Sequence, residues 1–112
     1  MPRLSDMQCQ PCTAGTPPLK GPAIARLLEQ LDDWQVVNEH HLTKEFRFAD
    51  FAGALAFVTR VGQLAEQQGH HPDIHLGWGR ARIETWTHSI GGLSEADFIL
   101  AAHIDALPHS GP

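Results

Sequence analysis

No hydrophobic run in the 112-residue chain approaches the ~18 apolar residues of a membrane span. The opening "MPRLSDMQ" also lacks the apolar stretch of a secretory signal. Together these lead to the expectation of a soluble, cytoplasmic protein. Positive charge is scarce: eight Lys and Arg stand against 13 Asp and Glu, a net charge of −5, and the basic residues are scattered. A surface that neutralises several phosphates needs a basic stripe, so direct nucleic-acid binding is not expected. Cysteine occurs twice, as Cys9 and Cys12 in "MQCQPCTAGTPP". That spacing serves redox pairs and half zinc sites, but a structural zinc needs four ligands and no second pair exists. The motif lies among Pro, Gly and Thr rather than at a strand-to-helix junction, and reads as two thiols in an arm. There is no serine in a nucleophile elbow and no phosphate-cradling loop; Gly77-x-Gly79 reads as a hairpin turn.

What the chain does have is 42% hydrophobic residues, enough for one core without disulfides, and clear periodicities. Residues 1–20, with Pro2, Pro11, Gly15, Pro17 and Pro18, read as an irregular arm, and 21–108 as a single domain. Ile24, Leu27, Leu28 and Leu31 follow helical spacing after Pro22, predicting a short helix to about Asp32-Asp33. "WQVVN" and "LTKEFRF" read as two strands, with Lys44 breaking the apolar side of the second, as at a sheet edge. Asp50 is placed to cap a helix whose face runs through Phe51, Ala54, Leu55, Val58, Val61 and Ala65 to Gly69. "DIHLGW" and "RARIETWTH" form a second hairpin, Ile83, Thr85 and Thr87 facing one way and Arg82, Glu84, Trp86 and His88 the other. "SEAD" is a capping-box start for a last helix, Glu95 to about Leu107. The fold class is therefore α+β: a four-stranded antiparallel sheet with helices packed on one face, in the order α-ββ-α-ββ-α.

Four of the eight histidines, His70, His71, His75 and His88, fall between Glu66 and His88. Pro72 biases His71 towards extended chain, so His71 and His75 do not chelate as a helical i, i+4 pair. An irregular metal site from His70, His71, Asp73 and His88 would need three or four convergent ligands. General acid–base chemistry fits better, since imidazole exchanges protons near neutral pH. Gly69 and Pro72 hold His70 and His71 at a helix end, and the hairpin can fold His88 back towards them.

Glu66-x-x-x-His70-His71-Pro72, Trp86-Thr87-His88 and Gly92-Leu93-Ser94-Glu95-x-Asp97, with "KEFRFADFAGALAFVTRVGQLAE" upstream, resemble the pterin-4a-carbinolamine dehydratases over about Gly21 to Leu107. The resemblance implies a lyase that removes water from 4a-hydroxytetrahydropterin to give quinonoid dihydropterin, in tetrahydrobiopterin recycling. His70, His71 and His88 would be catalytic, with no cofactor and no metal. Glu66 would orient His70 or be a solvated helix-end carboxylate. Asp97 would hold a histidine or serve as a capping acid, while Pro72 and the backbone of Thr87 would shape the pterin site. Trp34 and Trp86 would stack on the ligand, or be buried or interface tryptophans, the commoner case. A second implication is a protein-binding module, a dimerisation cofactor and transcriptional coactivator; a third is another pterin, such as one in molybdenum-cofactor metabolism. Two sheet edges and the resemblance together lead to the expectation of a homodimer or homotetramer.

Overall fold

Alternation in one strand organises the molecule. In the strand His41–Arg47 the side chains of Leu42 and Phe46 are buried while Glu45 and Arg47 are exposed, so one face meets a core and the other water. The computed structural model describes residues 3–9 and 17–107. Its strands are β1 (Gln35–Val37), β2 (His41–Arg47), β3 (Asp73–Gly77) and β4 (Arg80–Thr85). They form one antiparallel sheet in the order β1-β2-β4-β3. Leu42 lies opposite Thr85, Lys44 opposite Ile83 and Phe46 opposite Ala81. That face is covered by α1 (Gly21–Leu28), α2 (Phe51–Gln68) and α3 (Glu95–Asp105). Among the described residues no helix is long and apolar enough to cross a membrane.

The expected α+β order is the observed one, with differences in detail. Lys44 lies in a central strand, not at an edge. Its half of the sheet is buried by helices, and a cation there needs partners. The ammonium bonds the Asp105 carboxylate at 2.9 Å and the Asp32 carbonyl at 2.5 Å. Asp105 also accepts from the Trp34 indole N–H at 3.0 Å. Trp34 is 5% exposed and packs edge-on against Phe46, which makes it a core residue rather than a ligand platform.

Helix α2 begins and ends as its residues dictate. The Asp50 side chain accepts from the Gly53 amide at 2.8 Å, and Gly69 takes the left-handed conformation at φ 66° that a side chain would disfavour. Its buried face is Ala54, Phe57, Val61 and Ala65. Phe57 meets Phe46 and Phe48 at ring-centroid distances of 4.6 and 5.2 Å, whereas Phe51 and Leu55, expected on the core face, are 43% and 46% exposed. Helix α1 stops at Leu28, short of the expected Asp32-Asp33.

The N-terminal segment departs most from expectation. Leu4–Asp6 forms a 3-10 turn, and Leu4, 2% exposed, belongs to the core. The segment is then sewn to three helices or their ends. The Leu4 amide donates to Gln30 Oε1 at 3.1 Å, the Cys9 amide to Gln68 Oε1 at 2.9 Å, and the Cys9 thiol to the Ala96 carbonyl at 3.4 Å. His103 Nε2 donates to the Met7 carbonyl at 2.6 Å. Contacts with chain 26 to 96 positions away leave no local periodicity, so the sequence read as an irregular arm. Cys12, Pro11, Gly15 and Pro108 lie outside the described residues.

Candidate active site

Three chain segments converge at one end of the sheet: the end of α2, the exit of β4 and the start of α3. Strand β4 was expected to run to His88 but ends at Thr85. Beyond it Thr87 pairs with Gly92, the Thr87 amide donating to the Gly92 carbonyl at 2.8 Å. Gly91, at φ 63°, allows the reversal between them. His88 therefore opens a 3-10 turn, His88–Ile90, instead of standing on the open face of a strand.

The centre of the convergence is Asp97, fully buried at 0% exposure. Its carboxylate has four donors. Oδ1 accepts from His70 Nε2 at 2.6 Å and Thr85 Oγ1 at 2.7 Å; Oδ2 accepts from Thr87 Oγ1 at 2.8 Å and the Ser94 amide at 3.0 Å. Two lone pairs on each oxygen are thereby used. Thr87 has one hydroxyl proton and gives it to Asp97, so the 2.7 Å contact between Thr87 and Ser94 runs from Ser94 to Thr87. Among the described residues no buried side-chain N or O lacks a partner. Asp97 thus combines both roles raised for it, capping α3 through Ser94 and holding His70.

This bond sets the His70 tautomer. A carboxylate facing Nε2 requires the proton on Nε2, which leaves Nδ1 of the neutral ring to accept one. Glu66 was expected beside His70 but bonds His71, Oε2 to Nε2 at 2.5 Å, with the two side chains 77% and 61% exposed. The left-handed Gly69 ends helical spacing, so His70 turns in to Asp97 and His71 turns out beside the last turn of α2. Pro72 separates His71 from β3, which starts at Asp73.

His70 and Thr87 share one carboxylate, and His71 and His88 are the next residues in the chain. The arrangement ties the His-His-Pro corner to the Thr-His turn. His75 is not part of it, bonding Glu84 on the open face at 3.0 Å, and Asp73 pairs opposite Glu84 in the sheet. Among the described residues no three His, Cys, Asp or Glu side chains converge as a metal site. Sequence reasoning missed Thr85 as a partner of Asp97 and assigned Thr87 only a backbone role. The signal was present: two hydroxyls at alternating positions on an otherwise apolar inward face, after Ala81 and Ile83.

The sequence profile of the family described as pterin 4 alpha carbinolamine dehydratase matches residues 17–107. The "Putative pterin-4-alpha-carbinolamine dehydratase" of Rubrobacter xylanophilus is 56% identical over 96% of this chain and all of its own. Its namesake from Alkaliphilus metalliredigens is 49% identical, covering 94% and 96% of the two chains. Among solved structures, a transcriptional coactivator/pterin dehydratase from Brucella melitensis superposes with a TM-score of 0.74 at 31% identity, covering 79% of this chain and 95% of that one. A pterin dehydratase-like RuBisCO assembly factor of the alpha-carboxysome gives 0.58 at 28% identity, covering 67% and 88%.

Proposed function

The chain belongs to the pterin 4 alpha carbinolamine dehydratase family, and on that premise we propose that it eliminates water from a 4a-hydroxytetrahydropterin by histidine general acid–base catalysis. The C4a–O bond breaks as an imidazolium protonates the departing hydroxyl, and water leaves. A neutral imidazole takes the proton from N5, whose electron pair closes the C4a–N5 double bond of the quinonoid product. Both steps are proton transfers, each worth ~10²–10⁴-fold when the group is positioned. No cofactor enters this balance.

The observation that carries the reading is the His70–Asp97 pair inside a saturated buried network. It resembles the base-and-orienter arrangement that fixes an imidazole for proton exchange. His71 and His88 supply further imidazoles, two of the three exchanging acid and base roles according to which pterin face carries the hydroxyl. The protein acts in the cytoplasm on biopterin-type substrates, as a homodimer or homotetramer. Turnover of 4a-hydroxytetrahydrobiopterin, compared with other 4a-hydroxypterins, tests this. His71→Ala and His88→Ala are each expected to lower kcat by at least ~10² and His75→Ala far less; normal turnover by either of the first two would defeat the assignment.

A second reading draws on the coactivator and assembly-factor descriptions of the two solved relatives and on the exposure of Phe51, Leu55 and Trp78. Here the same fold binds a protein partner. Full turnover by a variant with these three residues made polar would separate the two roles.

A further inference from the structure

His88 is held differently from the other histidines. Within the described residues His70, His71, His75 and His103 each bond an oxygen, and His40 and His41 face each other with Nδ1 atoms 3.1 Å apart. His88 alone among them has no polar partner. Its ring instead lies flat on Trp86, centroids 4.4 Å apart and planes 14° from parallel.

Trp86 in turn is no core residue. It follows Thr85, the last residue of β4, and is half-buried on the side of the chain opposite Thr85 and Thr87. Its ring contacts among the described residues are all imidazoles: besides His88, these are His40 at 5.2 Å and His41 at 5.9 Å. His40 is delivered by the β1–β2 turn, where Asn38 and Glu39 sit at φ 54° and 53° and the His40 amide closes on the Val37 carbonyl at 2.8 Å. Two successive left-handed residues suit a tight hairpin, but Glu39 takes that conformation without the freedom of glycine. The turn brings the His40 ring against the indole, tilted 40° from its plane.

Between Trp86 and His88 in the chain, Thr87 is pinned through its hydroxyl to Asp97 and through its backbone to Gly92. Backbone and ring plane of His88 are therefore set by separate devices. We propose that Trp86, itself in contact with His40, is the positioning residue for His88. The stack fixes the plane of the imidazole and so the direction in which its ring nitrogens present and accept a proton. This rests on the acid–base reading above for its catalytic consequence, but not for its geometry.

Two measurements test it. In proton NMR of the full chain, the carbon-bound protons of the His88 ring, assigned by their loss in His88→Ala, are expected upfield of exposed-histidine positions because of the indole ring current. Trp86→Leu should return them to exposed positions, and Trp86→Phe should keep most of the displacement. In turnover, Trp86→Leu should lower kcat about tenfold or more, a part of the ~10²–10⁴ assigned to a positioned acid or base, with KM changing less. Trp86→Phe should recover most of that loss, and in a His88→Ala background Trp86→Leu should cost nothing further. Unshifted His88 protons in the native chain, or the same shifts in Trp86→Leu, would overturn the proposal. So would a rise in KM at unchanged kcat, which would make the indole a ligand platform. A Trp86→Leu chain that failed to fold would leave the decision to Trp86→Phe, where loss of both the shift and kcat would count against the stack and their retention for it. Absence of turnover on every pterin would defeat the dehydratase reading, while the proton shifts would still decide whether Trp86 sets the ring.

Discussion

Asp97 and Glu66 are two carboxylates, each facing a histidine, and they are set for different outcomes. Asp97 is fully buried with four donors, and removing it leaves His70, two hydroxyls and an amide to find new partners. Asp97→Ala is expected to destabilise the fold by about 3 kcal/mol or more, since each buried donor left without a partner costs about 1–3 kcal/mol, measurable by denaturant unfolding. Asp97→Asn keeps the shape but turns an amide N–H₂ towards donors. If the amide faces His70, the ring proton must move from Nε2 to Nδ1, the tautomer that cannot take a proton there. A kcat loss of at least ~10²-fold, larger than the stability loss alone explains, is the expected result; an Asn variant with native kcat would show that the tautomer does not matter. Glu66 and His71 are mostly exposed, and water screens such pairs, so Glu66→Gln should leave stability nearly unchanged. The catalytic candidates were legible from residue type and resemblance. Which acid meets which histidine was not, because the left-handed Gly69 between α2 and His70 redirects both rings, and helical i+4 spacing stops there.

At the level of elements, the strongest local signals predicted well: Asp50 and Gly69 bound α2, and Ser94 with Asp97 starts α3. The elements that sequence misjudged are those whose shape depends on distant chain. Strand β4 ends early because Thr87 pairs with Gly92, and the N-terminal segment is ordered because α2 and α3 receive it. Gln68, two residues before His70, bonds the Cys9 amide, and Ala96, beside Asp97, accepts from the Cys9 thiol. The segment thus bridges the two helix ends that carry the His70–Asp97 pair. Deleting residues 1–9 should remove the burial of Leu4, about 1.5–3 kcal/mol for a full leucine side chain. At ~4–8 °C per kcal/mol for a domain of this size, the melting temperature should fall by roughly 10 °C, and Leu4→Ala should account for most of that. An unchanged melting temperature would mean that the segment adds nothing to the fold.

The whole molecule leaves one side unfinished. Sequence predicted four antiparallel strands but not their order, since joining two hairpins through β2 and β4 is a non-local pairing that neither hairpin encodes. That order makes β3 an edge, and a row of unpaired backbone groups invites another strand. Apolar exposure collects on the same side. Leu76 on β3 is 36% exposed and Trp78, in the turn that follows, 73%. The Phe48 amide bonds the Gly79 carbonyl at 2.8 Å, which brings the start of α2 beside that hairpin, with Phe51 and Leu55 exposed on it. Single exposed apolar residues are ordinary, but several around a sheet edge mark an association surface. A tryptophan at a hairpin turn adds nothing to a monomer that leaves it in water. The chain is therefore expected to form a homodimer or homotetramer, and light scattering at micromolar concentration should give two or four times the chain mass. Trp78→Asp with Leu55→Glu places like charges on the patch, and should shift the mass towards the monomer while leaving the His70–Asp97 network folded. A monomeric mass for the native chain, or a mass indifferent to both charges, would show that this side is not where copies meet.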